Sequence, residues 1–451
     1  MIFSIYAHPF TTQLIYSMKF LLTLALSLLL LCNSYGFKNT PSTYLVSTTL
    51  VKSHTKESLN ALWKRHKIPK LALPVRYDVD IYEIIYKAPW IDSSTWINCS
   101  GIVYVPKMKG KKPATFMFGH GTEIRKGRNI SDEDSQQGVC LGFATDGYLA
   151  LYPDYYGIGK GDGQHLYQHA WSEGMSFLYM LKAVEELKAN LNLQTNGQLF
   201  LTGYSQGGHA SFAAQKYIEA EHDPRFKVTA ASPMSGAYDM TGEQAKVMFQ
   251  EYPRPFYLPY LIISYQAAYH VWPTNDIYSV FRAPYDTMLM GYFGAIRTKT
   301  MDDLDKVMPK IPSEVVKPEI VSQFKTDPNF AFVQRLKENN LTNWLPEAPV
   351  QLCFCEGDRE VNYKNSIAAY NNITALGKKD IKLNNLSNHL DHNTCAAFAV
   401  LATKAFFDRY RKHGSNPKLK DVPPFKKFLI NIIKKKTEKE YMRNHADHAY
   451  M

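Results

Sequence analysis

Residues 199–215 read LFLTGYSQGGHASFAAQ, and the fold turns on how this stretch is read. Gly203, Ser205 and Gly207 stand at G-x-S-x-G spacing. The apolar run before them reads as a buried strand, and the small-residue run after Gly207 reads as a helix. A serine on the turn between the two has strained backbone angles and holds its hydroxyl above the sheet edge. Glycines two positions before and after it let strand and helix approach without a Cβ clash. The helix N-terminus behind the serine favours developing negative charge. The motif alone arises by chance in glycine-rich loops; a strand before it and a helix after it give it meaning.

Outward from this turn, short apolar runs recur at 114–119 (ATFMFG), 147–153 (GYLALYP), 227–232 (KVTAAS) and 350–355 (VQLCFC). Continuous runs of this length fit strands buried on both faces of a parallel sheet. Upstream, Tyr77–Ile81 and Ile97–Val103 alternate apolar with polar residues, which predicts half-exposed antiparallel strands joined through Asp92-Ser93-Ser94. Helical patterns over 170–190, 207–220 and 395–412 lie between or after the strands, so the chain reads as an α/β sheet with helices on both faces. One gap breaks the alternation. About a hundred residues, rich in Tyr, Met and Pro, separate two strand candidates, too many for a loop. A helical cap inserted at 239–345 is the expected explanation.

A hydroxyl at neutral pH is a poor nucleophile, so a base and a group orienting that base are required. In a hydrolase sheet they follow in the order serine, acid, histidine, each past a strand end. VQLCFCEGDREV places Asp358 three residues beyond a buried strand, with Glu356 and Asp391 as competitors. SNHLDHNTCAAFA offers His389 and His392, and His392 is preferred because it directly precedes a helical run. His120-Gly121-Thr122 follows a strand where a second oxyanion donor should arise. The backbone N–H groups of Gln206 and of Gly121 or Thr122 are therefore the candidate oxyanion hole.

GYSQGGHA (203–210), FGHGT (118–122), YPDYYGIGKGDG (152–163) and the D-H-x-x-C segment together resemble the secretory lipase family, typified by fungal lipase A enzymes with many bacterial relatives. The likeness runs from about residue 70 to 410. It implies an α/β-hydrolase fold, with a mostly parallel eight-stranded sheet and an inserted cap. It further implies a serine carboxylic-ester hydrolase (lipase or esterase) with Ser205, Asp358 and His392 as triad. Two departures stand out: Asn362, where many relatives carry proline, and a basic tail. A peptidase on the same scaffold, or a hydrolase-like binding protein without activity, are the alternatives.

The remaining features concern location and partners. Met18-Lys19 followed by the apolar run 20–32 and small residues at Ser34 and Gly36 reads as a cleaved secretory signal over 1–36. The catalytic domain is expected over 37–415, and the protein outside the cytoplasm, secreted or periplasmic. Five cysteines then remain, in no zinc-binding spacing; no metal or other cofactor is expected, and the pairing is left open. The net charge of +11 is concentrated in the tail 416–451 and its approach: Arg409 to Arg443 holds twelve Lys/Arg against three Asp/Glu. Phe425, Phe428, Leu429, Ile432 and Ile433 share a helical face there, with lysines opposite. That pattern suits either a helix closing on the domain or a weak membrane-surface contact. Nucleic acid is not an expected partner; a small-molecule or lipid ester is.

Overall fold

The alternating upstream segments form a hairpin: β2 (Val79–Pro89) pairs antiparallel with β3 (Trp96–Pro106). Its turn is held by Asp92 Oδ1, which accepts the N–H groups of Ser94 and Thr95 at 2.8 Å each. The computed structural model describes residues 43–444 apart from 71–72, 128, 132–133, 275, 294–299 and 414–423. The leader expected over 1–36 lies outside them.

The continuous apolar runs form the centre of the sheet. β4 (Ala114–Gly119), β5 (Tyr148–Pro153), β6 (Leu199–Tyr204), β7 (Val228–Met234) and β8 (Val350–Phe354) are buried along nearly their whole length. With β1 (Leu45–His54) at one edge and β9 (Ile381–Asn385) at the other, the order is β1-β2-β3-β5-β4-β6-β7-β8-β9, parallel from β5 to β9. This is the α/β-hydrolase architecture, with nine strands among the described residues rather than the expected eight. Two strands have no counterpart among the runs read from the sequence: β9, and β1, an edge strand exposed along most of its length. With neither face buried, its sequence LVSTTLVKSH carries no alternation to read.

Helices cover both faces. α1 (Lys56–Arg65), α2 (Ser135–Thr145) and α9 (His392–His413) share one core, in which Phe143 stacks on Phe116 at 3.9 Å and Phe407 meets Phe200 at 4.9 Å. α3 (Ala170–Asn190) and α4 (Gln206–Glu221) cover the opposite face, and α8 (Lys364–Ala375) packs beside α4. Far from its N-terminus, α9 is pinned by buried charge: Lys404 Nζ lies 2.6 Å from Asp146 and 2.8 Å from Asp408, and Arg411 lies 3.1 Å from Asp146. Paired in this way, the charges escape the penalty of lone burial.

Between β7 and β8 the chain leaves the sheet and builds α5 (Tyr257–Tyr269), α6 (Pro318–Thr326) and α7 (Ala331–Glu338) around their own apolar core. Ile124 and Tyr167 of the sheet domain join that core. Within the tail, α10 (Pro424–Asn444) touches the domain where the Ser387 hydroxyl donates to Glu438. Among the described residues no helix is long and apolar enough to cross a membrane.

Candidate active site

Ser205 sits between β6 and α4 with φ 62° and ψ −122°, a conformation that costs a non-glycine residue about 1–3 kcal/mol. The surroundings leave it no alternative. A Cβ on Gly207 would lie 1.9 Å from the Gly119 carbonyl oxygen, and one on Gly203 2.2 Å from that of Gly207. Glycine is what allows the ends of β4 and β6 and the start of α4 to come together. As the first residue of α4, Gln206 carries an N–H with no partner inside the helix.

The β4 end carries the other expected donors. Gly121 and Thr122 both line the cavity above Ser205. The Gly121 N–H, however, is taken by Gln136 Oε1, whereas among the described residues no hydrogen bond takes the N–H of Thr122. The Thr122 hydroxyl bonds Tyr167 OH at 3.3 Å. Tyr167 in turn stacks on Tyr260 of α5 at 4.7 Å, and Tyr260 OH donates to the Glu123 carbonyl. The turn after β4 is therefore clamped between Gln136 of α2 and the inserted helices.

Across the cavity, Asp358 and His392 meet: Asp358 Oδ2 is 2.6 Å from His392 Nδ1, and both are buried. Asp358 Oδ1 accepts the N–H groups of Glu360 and Val361 at 3.0 and 2.9 Å, which fixes the carboxylate. The competing groups are occupied elsewhere. Asp391 caps α9 by accepting the Thr394 N–H at 2.8 Å, and Glu356 is exposed and bonds Asn385. His389 is exposed. Ser232 on β7 bonds Thr403 at 2.7 Å and lies outside the cavity lining. Burial alone would lower the His392 pKa, but the Asp358 carboxylate outweighs it, with Glu360 and Asp391 adding, and the pKa rises above the ordinary histidine value. Ser205 and His392 line the same cavity of about 570 Å³. Among the described residues no hydrogen bond joins the two, and such pairs are often loose until substrate closes them.

Two supports were not visible in the sequence. A disulfide joins Cys355, at the end of β8, to Cys395 in the first turn of α9 and so ties the acid loop to the histidine helix. Behind Ser205, the Gln206 amide nitrogen lies 2.9 Å from Glu173 Oε1 and 3.0 Å from His165 Nε2. His209 bridges Glu173 at 2.6 Å and the Asn339 carbonyl at 3.1 Å. Glu173 and His209 are fully buried. The available signal was a lone glutamate early in an otherwise apolar helix (AWSEGMSFLYM) and a histidine directly after the double glycine.

The sheet order, the strained serine turn and the carboxylate–imidazole pair facing it define an α/β-hydrolase fold carrying a Ser–His–Asp constellation. Comparison with solved structures agrees on the fold. A protein of Legionella pneumophila assigned provisionally to the hydrolases is 26% identical, with a TM-score of 0.75 over 83% of this chain and 100% of that one. The rice cell wall degrading esterase LipA of Xanthomonas oryzae, in a ligand-bound form, is 23% identical with a TM-score of 0.68, covering 83% of this chain and 98% of that one. Lipase A of Candida antarctica in its closed state is 16% identical with a TM-score of 0.61, covering 86% and 88%. No protein-family model and no curated protein sequence matches the chain.

Proposed function

We propose that the chain is a serine hydrolase of carboxylic esters, a lipase or esterase acting through an acyl-enzyme on Ser205. The observation that carries this reading is the 2.6 Å contact of buried Asp358 with His392, which lines the same cavity as Ser205 on its strained turn. In the proposed cycle His392 takes the proton as the Ser205 oxygen attacks the ester carbonyl carbon. Asp358 holds the ring in the tautomer that presents Nε2, and stabilises the imidazolium that forms. The tetrahedral oxyanion rests on the backbone N–H groups of Gln206 and Thr122. The tetrahedral species collapses, the ester C–O bond breaks, and the leaving alcohol takes the proton from His392. Water then repeats the sequence on the acyl-enzyme and regenerates the free hydroxyl.

The known esterase and lipase among the similar structures support ester over amide chemistry. The disulfide supports export to an oxidising compartment, outside the cytoplasm.

Labelling with a fluorophosphonate probe tests the assignment. The wild type should label, and Ser205→Ala should not, with turnover of p-nitrophenyl acetate lowered by roughly 10⁶-fold. Normal activity in Ser205→Ala would overturn the reading. Cleavage of peptide amides in preference to esters would favour a peptidase, and an unlabelled wild type would favour a binding protein.

A further inference from the structure

Within α10 the positions from 431 to 443 divide into two faces. Lys434, Thr437, Glu438 and Tyr441 follow the i, i+3, i+4, i+7 spacing of one helical stripe and are partly buried. Glu438 accepts the Ser387 hydroxyl, Lys434 lies 3.9 Å from Glu438, and Tyr441 packs against the main core. This stripe seats the helix on the domain.

Every other position in that stretch is exposed. Ile432, Lys436, Lys439 and Arg443 run along the centre of the outward face at i, i+4, i+7, i+11 spacing, with Lys435 and Met442 on one flank and Ile433 and Glu440 on the other. Four cations stand there against one carboxylate, and among the described residues none of the four is in an ion pair. Residues 414–423 and 445–451, on either side of the helix, hold two lysines and two aspartates and so bring no net charge to offset it. Beside the cations, Ile432, Ile433 and Met442 are 47%, 48% and 45% exposed.

This mixture selects the partner. A soluble polyanion would engage the cations and leave the apolar side chains in water. A second copy meeting this face through its own would bring like charge and be repelled. A bilayer containing acidic lipids satisfies both kinds of group, its phosphates meeting the cations and its interface taking the apolar side chains. We propose that the outward face of α10 docks on an anionic phospholipid bilayer through Lys435, Lys436, Lys439 and Arg443, with Ile432, Ile433 and Met442 entering the interface. The inner stripe stays on the domain, so docking breaks none of the contacts around Ser387. Docking of this kind is independent of the ester-hydrolase reading, since it is measured without turnover.

The test sediments the full chain with vesicles of phosphatidylcholine, alone or mixed with phosphatidylglycerol. Each cation at an anionic surface is worth about fivefold in binding. The wild type should therefore bind the mixed vesicles about 50-fold or more tightly than the neutral ones. Raised salt should weaken that binding. Lys435→Ala, Lys436→Ala and Lys439→Ala combined should lose about 50-fold or more. Ile432→Ser and Ile433→Ser combined should lose about fivefold or more on the same vesicles. All five side chains are exposed, so the unfolding temperature should not move and misfolding does not confound the comparison. Equal binding to both vesicles by the wild type, or wild-type binding by the triple alanine variant, would overturn the proposal. Binding to soluble polyphosphate as tight as to the mixed vesicles, and unaffected by the serine changes, would make this face a polyanion site and refute the bilayer. Sedimentation with mixed vesicles by a chain that turns over no ester would sink the hydrolase reading and leave this one standing.

Discussion

Around Ser205 the positioning forces are local, whereas around His392 they come from far along the chain. The serine turn is set by glycines two residues away and by the carbonyl of Gly119 pressed against Gly207. The histidine is held by a partner 34 residues distant, a disulfide spanning 40 residues, and a bond from Tyr204 OH to its carbonyl across 188 residues. The first arrangement is rigid because any added atom clashes. The second is rigid only while several independent ties all hold. Damage to the two halves should therefore differ in kind.

The largest effect short of removing the serine is expected at Asp358→Asn, which leaves the contact sterically intact but permits the wrong histidine tautomer. Turnover should fall by about 10⁴-fold. The pH profile gives an independent reading. In the proposed cycle His392 can serve as a base only when neutral, and its pKa lies above the ordinary value because of Asp358. Wild-type kcat/KM should thus be lost as pH falls through a midpoint above about 6.5. In Asp358→Asn that midpoint should move to lower pH, since burial then acts without the opposing carboxylate. An unmoved acidic limb would separate His392 from Asp358.

Next come the two supports. Gly207→Ala drives a Cβ to 1.9 Å from the Gly119 oxygen, backbone that cannot rotate away. It should lower stability by upward of about 3 kcal/mol, beyond the usual cost of overpacking, and lower turnover in the folded fraction. Replacing Cys355 and Cys395 by alanine should cost about 2–4 kcal/mol, the range expected for freeing a loop of that length. The double alanine variant should keep much of its activity at low temperature, because the Asp358–His392 bond and the Tyr204 contact survive. Denaturant unfolding with parallel rate measurements distinguishes the cases. Equal loss of activity in both would erase the contrast between a local clash and a distant tie.

The same contrast explains what could be read from the sequence. Gly203, Ser205 and Gly207 encode their turn in five consecutive positions, and the buried central strands announce themselves as unbroken apolar runs. Asp358 and His392 could be nominated because each follows or precedes an element, but nothing in the spacing shows that they touch. The bond from the Gly121 N–H to Gln136 was invisible, since that acceptor belongs to a helix 15 residues on. Glu173, Gln206 and His209 form a network only after α3 and α4 pack. β9 (Ile381–Asn385) went unread because only Ile381 in IKLNN is buried. Partners that meet only through tertiary structure leave no local pattern.

The smallest effect is expected furthest from either half, on α10. The Ser387 oxygen accepts the N–H groups of His389 and Leu390 while its hydroxyl donates to Glu438, so the helix touches the loop that precedes His392. Ile432 and Ile433, beside Lys434, Lys435 and Lys436, remain about half exposed. The helix thus rests on the domain through Glu438 and through Tyr441, which packs against the main core, while leaving apolar and basic groups outward. Glu438→Ala should change stability by about 1 kcal/mol or less and kcat/KM by less than threefold, because the backbone bonds to Ser387 persist without it. Removing residues 416–451 should leave the soluble-ester rate similarly untouched. If the outward face contacts an anionic surface, the same truncation should weaken sedimentation with phosphatidylglycerol vesicles. A large loss of soluble-ester turnover on either change would instead make α10 part of the apparatus that holds His392, extending the long-range half of the site to the tail.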